Sequence, residues 1–144
     1  MNRLATIGYE GDTQAGVIGR LQDAGVKTLI DVRAIAASRR AGFSKTVLAA
    51  SLAEAGIAYV HLRALGTPKP GRDAARAGRT AEMQKIFAAH MQEPDAMAAL
   101  AHAEAIARDT PACLLCFEAD HRRCHRALLA AMMQRTLRCE VVDL

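Results

Sequence analysis

Short apolar runs alternate with segments of helical periodicity along this chain. The runs are rich in Val, Ile and Leu, and they fall at 4–9, 28–32, 57–61, 112–117 and 139–144. Strands separated by helices predict a parallel sheet, because parallel neighbours need a long crossover between them. We therefore predict an α/β fold with three layers, in which about five mainly parallel strands carry helices on both faces.

The spacing of apolar residues between these runs predicts helical connections. We expect helices at 13–24, 44–55, 81–92, 95–109 and 121–136. Segment 66–80 contains two prolines and three glycines, and we predict that it forms a loop. At 144 residues the chain is long enough for one domain with its own core, which we place at 1–144.

No segment of the sequence is typical of a membrane span or a secretion signal. The apolar runs are shorter than the ~18 residues that a span needs. Glu10 and Asp12 end the first run before a signal core can develop. Four cysteines are too few for a disulfide scaffold of this length. We expect a cytoplasmic protein with reduced thiols and no membrane association.

Polar residues follow the predicted strands. The carboxyl ends of parallel strands meet at one edge of a sheet, where ligands bind. Four separate segments should bring to that edge Tyr9, Glu10, Asp31, Arg33, His61, Cys116, Glu118 and Asp120. This convergence predicts one functional site at the carboxyl edge of the sheet.

Basic residues in two segments predict an anion site. Asp31 and Arg33 stand two positions apart on a strand, so they either pair with each other or both contact a ligand. Arg33, Ser38 and Arg39 belong to a stretch whose guanidinium groups suit phosphate or carboxylate. Segment 66–80, also basic, fits either a mobile flap over an anionic substrate or a solvated loop. Because few aromatic residues accompany these cations, the pattern favours phosphate over stacked bases.

The stretch CFEADHRRCHR, residues 116–126, permits three kinds of chemistry. The first is phosphate chemistry, because Cys116 and Arg122 have the C-x5-R spacing of cysteine phosphatases. Glu118 and Asp120 disfavour that assignment, since their carboxylates would repel a phosphate at close range.

The second kind is metal binding. On a helix, His121, Cys124 and His125 would share one face, with Cys116 and His61 as further candidates. We nevertheless expect Cys124 and His125 to diverge, because adjacent side chains on a helix point apart. The sequence therefore assigns no metal ligand and no cofactor.

The third kind is thiolate chemistry at Cys124. A position in the first turns of a helix, beside several arginines, would favour the ionised sulfur as a nucleophile or redox group. A buried cysteine that only packs is an equally good interpretation, and both interpretations apply to Cys116 as well. His61 either takes part in acid–base chemistry or hydrogen-bonds a loop carbonyl.

Four motifs, in order, resemble the family called domain of unknown function 488. They are TIGYEG, DVR followed by SRRAGFS, GIAYVHLRALG and CLLCFEADHRRCHR. The resemblance spans nearly the whole chain and implies an α/β fold, mostly bacterial and archaeal cytoplasmic members and no established activity. Ala36 and Thr67 depart from the pattern, which has proline and glycine there. The matching positions are Tyr9, Glu10, Gly11, Asp31, Arg33, Ser38, Arg39, His61, Gly66, Cys116, Glu118, Cys124, His125 and Arg126.

Together these patterns predict a small enzyme that acts on a phosphorylated or otherwise anionic substrate, with nucleotides and nucleic acids among the candidates. The candidate catalytic residues are Asp31, His61, Glu118, Cys116 and Cys124. The candidate substrate-binding residues are Tyr9, Glu10, Arg33, Ser38, Arg39, His125 and Arg126. A noncatalytic module that binds nucleic acid or another ligand is one alternative, and a metal-dependent hydrolase is the other.

Overall fold

The computed structural model describes residues 3–120 and 124–144. Its strands are β1 (Arg3–Gly8), β2 (Thr28–Asp31), β3 (Ala58–His61), β4 (Ala112–Cys116) and β5 (Glu140–Asp143). Its α-helices are α1 (Gln14–Asp23), α2 (Lys45–Glu54), α3 (Lys69–Arg76), α4 (Thr80–His90), α5 (Pro94–Asp109) and α6 (His125–Leu137). A short 3₁₀ turn, Arg63–Leu65, follows β3.

The five strands form one parallel sheet with the order β3-β2-β4-β1-β5. β4 lies at the centre, where it pairs with β1 on one side and with β2 on the other. The predicted parallel sheet is therefore confirmed. Because all strands run the same way, the segments that leave β1, β2, β3 and β4 gather along one edge.

Helices cover both faces of the sheet and complete the three layers. Val17 of α1 and Leu48 of α2 pack with Leu29 and Leu115 on one face. Phe87 of α4 and Leu129 of α6 pack with Ile30, Leu114 and their neighbours on the other. Successive strand residues point to opposite faces, so each buried strand contributes to both cores. Burying one such Leu or Phe side chain stabilises the fold by about 1.5–3 kcal/mol.

The predicted loop at 66–80 was wrong in part, because it contains α3. Pro68 caps this helix and Pro70 lies in its first turn. A proline there loses no hydrogen bond, since the first N–H groups of a helix have no intrahelical partner. The prolines therefore lie at the start of a helix, in a segment for which a loop was predicted.

The start of α6 also differs from the prediction. The helix begins at His125, and Cys124 precedes it in an extended conformation, with φ −125° and ψ 147°. The prediction that Cys124 lies in the first turns of the helix was wrong. His121 and Arg122 were assigned to candidate sites. They belong to residues 121–123, which lie outside the described residues. None of the described helices is both long and apolar enough to cross a membrane.

Candidate functional site

A cleft of about 520 Å³ opens at the carboxyl edge of the sheet. Its floor is formed where β1 and β4 end and α6 begins, by residues that include Tyr9, Cys116, Cys124 and His125. α3, α4 and the segment after β2 supply its walls. The cleft thus lies beside the central strand, where the topology brings four segments of the chain together.

The segment that follows β4 is fixed against β1 by backbone contacts. The amide of Glu10 donates to the carbonyl of Phe117 at 2.8 Å, and the amide of Ala119 donates to Oε1 of Glu10 at 3.2 Å. Gly8 permits this approach, because a Cβ there would lie 1.8 Å from the carbonyl oxygen of Glu118. These contacts set the position of the Glu118 side chain.

Arg126 holds the same segment from the other side. Its side chain is 0% exposed, and its guanidinium donates to the carbonyl oxygens of Glu118 and Ala119. Both terminal nitrogens are therefore occupied by backbone. Arg126 was predicted to bind substrate, but in the structure it lies behind the cleft and supports the segment that carries Glu118.

Two sulfurs and one imidazole meet on the floor of the cleft. Sγ of Cys124 lies 3.6 Å from Nδ1 of His125, and Sγ of Cys116 lies 3.8 Å from the same nitrogen. All three donor atoms lie within 4.8 Å of one another. We call Cys116, Cys124 and His125 the sulfur–histidine centre.

The prediction that Cys124 and His125 diverge was wrong. It assumed that both residues are helical, but the extended backbone of Cys124 lets its side chain turn toward the side on which His125 lies. Adjacent residues point apart on a helix, whereas a residue just before a helix is free of that constraint.

The ring of His125 is fixed on its other side. Its Nε2–H donates to the carbonyl oxygen of Val32 at 2.9 Å, and the ring lies 5.1 Å from that of Phe87. Since Nε2 carries the proton for this bond, Nδ1 is directed toward the two sulfurs. The backbone at the end of β2 therefore selects which nitrogen of His125 faces the cleft.

The centre is electrostatically polarised. Burial opposes ionisation of Cys124, but the hydrogen bond from Cys116 and the charge of His125 hold the pKa of Cys124 well below its usual range. Burial likewise opposes the charge of His125, yet the ionised Cys124 raises the pKa of His125. The hydrogen bond to Cys124, together with burial, raises the pKa of Cys116 well above the usual range. Cys116 and His125 thus both favour the ionised form of Cys124.

Glu118 lies beside this centre. Its Oε2 is 3.6 Å from Sγ of Cys116, and the residue lines the cleft. Burial, and then the charge of Cys124, raise the pKa of Glu118 to about 7. The carboxyl group is thus placed where it can exchange a proton with a molecule in the cleft.

Two arginines from α3 form a basic wall of the cleft. Arg72 and Arg76 both line it, one helical turn apart. Arg72 donates through Nη1 to the carbonyl oxygen of Thr67 at 3.0 Å, and the Arg76 side chain is 72% exposed. Neither arginine was among the candidate site residues, although the basic segment 66–80 that contains them was interpreted as a possible flap over an anionic substrate.

A second polar cluster lies beside the cleft and is closed. Nε of Arg33 donates to Oδ1 of Asp31 at 2.9 Å, and Nη2 donates to Oδ2 at 2.7 Å. The Asp31 side chain is 0% exposed. The hydroxyl of Tyr59 donates to Oδ2 of Asp31 at 2.5 Å. Nη1 of Arg33 donates to the hydroxyl of Tyr9 at 3.1 Å and to the carbonyl oxygen of Phe43 at 2.8 Å. We call Asp31, Arg33, Tyr9 and Tyr59 the Asp31 network.

In the Asp31 network, Nε, Nη1 and Nη2 of Arg33 each donate to a protein acceptor. Although burial opposes its charge, the hydrogen bond and charge of Asp31 raise the pKa of Arg33. Burial and Asp31 together raise the pKa of Tyr59. Of the two interpretations of Asp31 and Arg33 left open by the sequence, the structure shows the mutual ion pair.

Other predicted site residues lie away from the cleft lining. Nε2–H of His61 donates to the carbonyl oxygen of Arg33 at 2.8 Å. The hydroxyl of Ser38 accepts from the amide of Arg40 at 3.1 Å, and Arg39 is exposed. The predicted residues that do line the cleft are Tyr9, Glu10, Arg33, Cys116, Glu118, Cys124 and His125.

A family model described as "Domain of unknown function DUF488" matches residues 13–133. The chain belongs to the DUF488 family. Within this DUF488 chain, the matched segment contains the sulfur–histidine centre, Glu118 and the basic wall, whereas Tyr9 and Glu10 precede it. Searches of curated proteins and of solved structures each found no match.

Proposed function

We propose that this DUF488 chain is an enzyme that converts a small anionic substrate in the cleft, with the sulfur–histidine centre as its reacting centre. The observation that carries the proposal is the convergence of Cys116, Cys124 and His125 on the floor of one cleft whose wall holds two arginines. Active sites often contain a cysteine sulfur, acting as a nucleophile or as a metal ligand, beside a histidine ring that is held in one orientation.

The size of the cleft favours a small molecule over a polymer. Its volume of about 520 Å³ falls within the roughly 300–1,000 Å³ that is usual for small-molecule sites. Phe117, exposed by 40%, is the large aromatic side chain at its mouth. One such ring is less than the series of stacking platforms by which proteins hold single-stranded nucleic acid.

The anionic group of the substrate is assigned to Arg72 and Arg76. A guanidinium fork matches phosphate or carboxylate. The Arg76 side chain is 72% exposed, and its Nη1 lies 3.6 Å from Oδ1 of Asp73, with which a bound anion would compete. Arg33 also borders the cleft, but its donors are taken by Asp31, Tyr9 and Phe43. The anion-binding role predicted for Arg33, Arg39 and Arg126 is therefore proposed instead for Arg72 and Arg76 of α3.

Glu118 is the residue placed to transfer a proton. It lines the cleft next to Cys116, whereas Asp31 is held by Arg33 and Tyr59, and His61 by the backbone of Arg33. A general acid or base must lie within reach of the substrate. Of the predicted acid–base residues, Glu118 meets that condition.

The proposal is tested with a panel of phosphate and carboxylate esters and amides at matched concentrations. We expect turnover of at least one anionic class by the wild type. We expect Arg76→Ala and Arg72→Ala each to raise KM by about tenfold or more, as loss of a charged hydrogen bond does. Arg79→Ala is the matched control, because Arg79 is exposed, pairs with Glu82 and does not line the cleft.

Two outcomes would count against the proposal. If no member of the panel is converted and no anion raises the melting temperature, the cleft is not an anionic-substrate site. If anions bind through Arg72 and Arg76 with a strong salt dependence and no turnover, the chain is the noncatalytic binding module.

A further inference from the structure

We propose that the sulfur–histidine centre binds one Zn²⁺ ion through Sγ of Cys116, Sγ of Cys124 and Nδ1 of His125, with its fourth position open to the cleft. This inference deepens the proposed function. Zinc binding does not depend on the proposed function, whereas the hydrolysis derived from it does. Among the described residues, this is the group of Cys, His, Asp and Glu donors that is close enough to share an ion.

The distances between the donor atoms fit a zinc ion. A tetrahedral zinc bonded at about 2.3 Å to sulfur and about 2.0–2.1 Å to nitrogen holds these two ligands about 3.5–3.6 Å apart. The separations from Nδ1 of His125 to Cys124 and Cys116 are 3.6 and 3.8 Å. Each sulfur therefore already lies near the zinc-compatible distance from Nδ1, and all three donor atoms are within 4.8 Å of one another.

The type of donors selects the metal. Two thiolates and an imidazole are soft or borderline ligands, which suit zinc and exclude magnesium and calcium, whose ligands are oxygens. Catalytic zinc sites have three protein ligands and one open position, whereas structural sites are closed by four. All three residues of the centre border the cleft, so the open position faces it.

The surroundings of His125 match those of a zinc ligand. A ligating histidine usually donates its other ring N–H to a carbonyl or carboxylate, which fixes the tautomer and the ring. Here Nε2–H of His125 donates to the carbonyl oxygen of Val32, and Phe87 packs against the ring. The second hydrogen bond is thus already made, and Nδ1 is directed to the ion.

The consequence for the proposed function is hydrolysis. Zinc makes its bound water acidic enough to supply hydroxide near neutral pH. That water gives a proton to the carboxylate of Glu118, and its hydroxide oxygen bonds to the electrophilic carbon or phosphorus of the substrate. The bond to the leaving group then breaks, and the proton passes from Glu118 to the leaving group.

The first test is elemental analysis of the full chain after removal of metal by a chelator and reconstitution with Zn²⁺. We expect one zinc per chain in the wild type. Cys116→Ser, Cys124→Ser and His125→Gln should each lower the zinc affinity by about 100-fold or more, because changes to residues that only contact a ligand already cost about 10–100-fold. Cys139→Ala is the matched control, because Cys139 lies just before β5 and outside the cleft, and the change should leave the zinc content unchanged.

A second measurement does not depend on the variants folding. Co²⁺ in place of Zn²⁺ should give the charge-transfer absorption of cobalt–thiolate bonds, and bound metal should protect Cys116 and Cys124, but not Cys139, from alkylation. Substoichiometric zinc together with a cobalt spectrum that lacks thiolate bands would overturn the metal site.

The metal site and the proposed function can fail separately. Stoichiometric zinc without turnover of any anionic substrate would leave the metal site standing and remove the enzyme proposal. Turnover by the metal-free wild type that is lost in Cys124→Ser would overturn the hydrolytic role of the ion and identify the centre as a thiol enzyme.

Discussion

Two polar clusters lie side by side at the carboxyl edge of this sheet, and they differ in how completely their hydrogen bonds are satisfied. In the Asp31 network, Asp31 accepts from Arg33 and Tyr59, and Nη1 of Arg33 donates to Tyr9 and Phe43. In the sulfur–histidine centre, the sulfurs and Nδ1 face one another and the cleft. A cluster whose groups are all paired with protein stabilises the fold, whereas one that faces a cavity can bind or react.

The largest expected effect is on the Asp31 network. Asp31→Asn should lower the free energy of unfolding by about 3–5 kcal/mol, because it leaves the buried cation of Arg33 without its partner. Urea denaturation measures this loss. Asp73→Asn, in an exposed ion pair of α3, is the control and should change the free energy of unfolding far less, because solvent screens that pair. Equal effects of the two substitutions would contradict a structural role for the Asp31 network.

A smaller effect in the same network is expected from Tyr59→Phe. The change removes the hydroxyl that donates to Asp31 at 2.5 Å and keeps the ring. Loss of a hydrogen bond to a charged group should lower the free energy of unfolding by about 1.5–3 kcal/mol. Turnover and metal content should not change. A loss of metal from this variant would show that the two clusters are not independent.

The third prediction concerns the segment that follows β4 and carries Glu118. Gly8→Ala would place a Cβ 1.8 Å from the carbonyl oxygen of Glu118, so the segment after β4 must move. We expect a stability loss of about 1–3 kcal/mol together with reduced metal affinity. Gly19→Ala is the matched control, since its Cβ would meet open space within α1 and should stabilise the protein by about 0.5–1 kcal/mol.

The smallest stability effect is expected at the sulfur–histidine centre itself. In the metal-free, reduced protein, Cys124→Ala should lower the free energy of unfolding by about 1 kcal/mol, as deletion of one buried heavy atom does. Thermal melting in the presence of a chelator measures it. A loss above about 3 kcal/mol would mean that the centre holds the fold in the way the Asp31 network does.

The sequence predicted the sheet because strand signals are local. Each of the five strands is a short run of Val, Ile and Leu whose type depends on its own residues, and the observed strands lie within the predicted runs except at Arg3, the first residue of β1. Parallel pairing then follows from the helices between them. The helix at Lys69–Arg76 was missed, because proline signals both the start of a helix and its interruption.

The site was predictable only in outline. That polar residues after β1, β2, β3 and β4 approach one edge follows from the topology, but which side chains enter the cleft depends on partners distant in the chain. Asp31 was a good catalytic candidate by residue type, and its capture by Arg33 and Tyr59 depends on tertiary contacts. The meeting of Cys124 and His125 depended on one backbone conformation just before α6, which residue spacing does not specify.

The position of β4 has a consequence for how the chain assembles. β1 and β2 are made early, yet neither pairs with the other, because β4 separates them. Until residues 112–116 have been synthesised, both strands have an unpaired inner side, and open strand edges invite aggregation. Closing so long a loop is slow compared with forming local helices. Synthesis must therefore run well past the midpoint of the chain before the central pairings of the sheet can form, and a nascent chain released earlier exposes apolar strands.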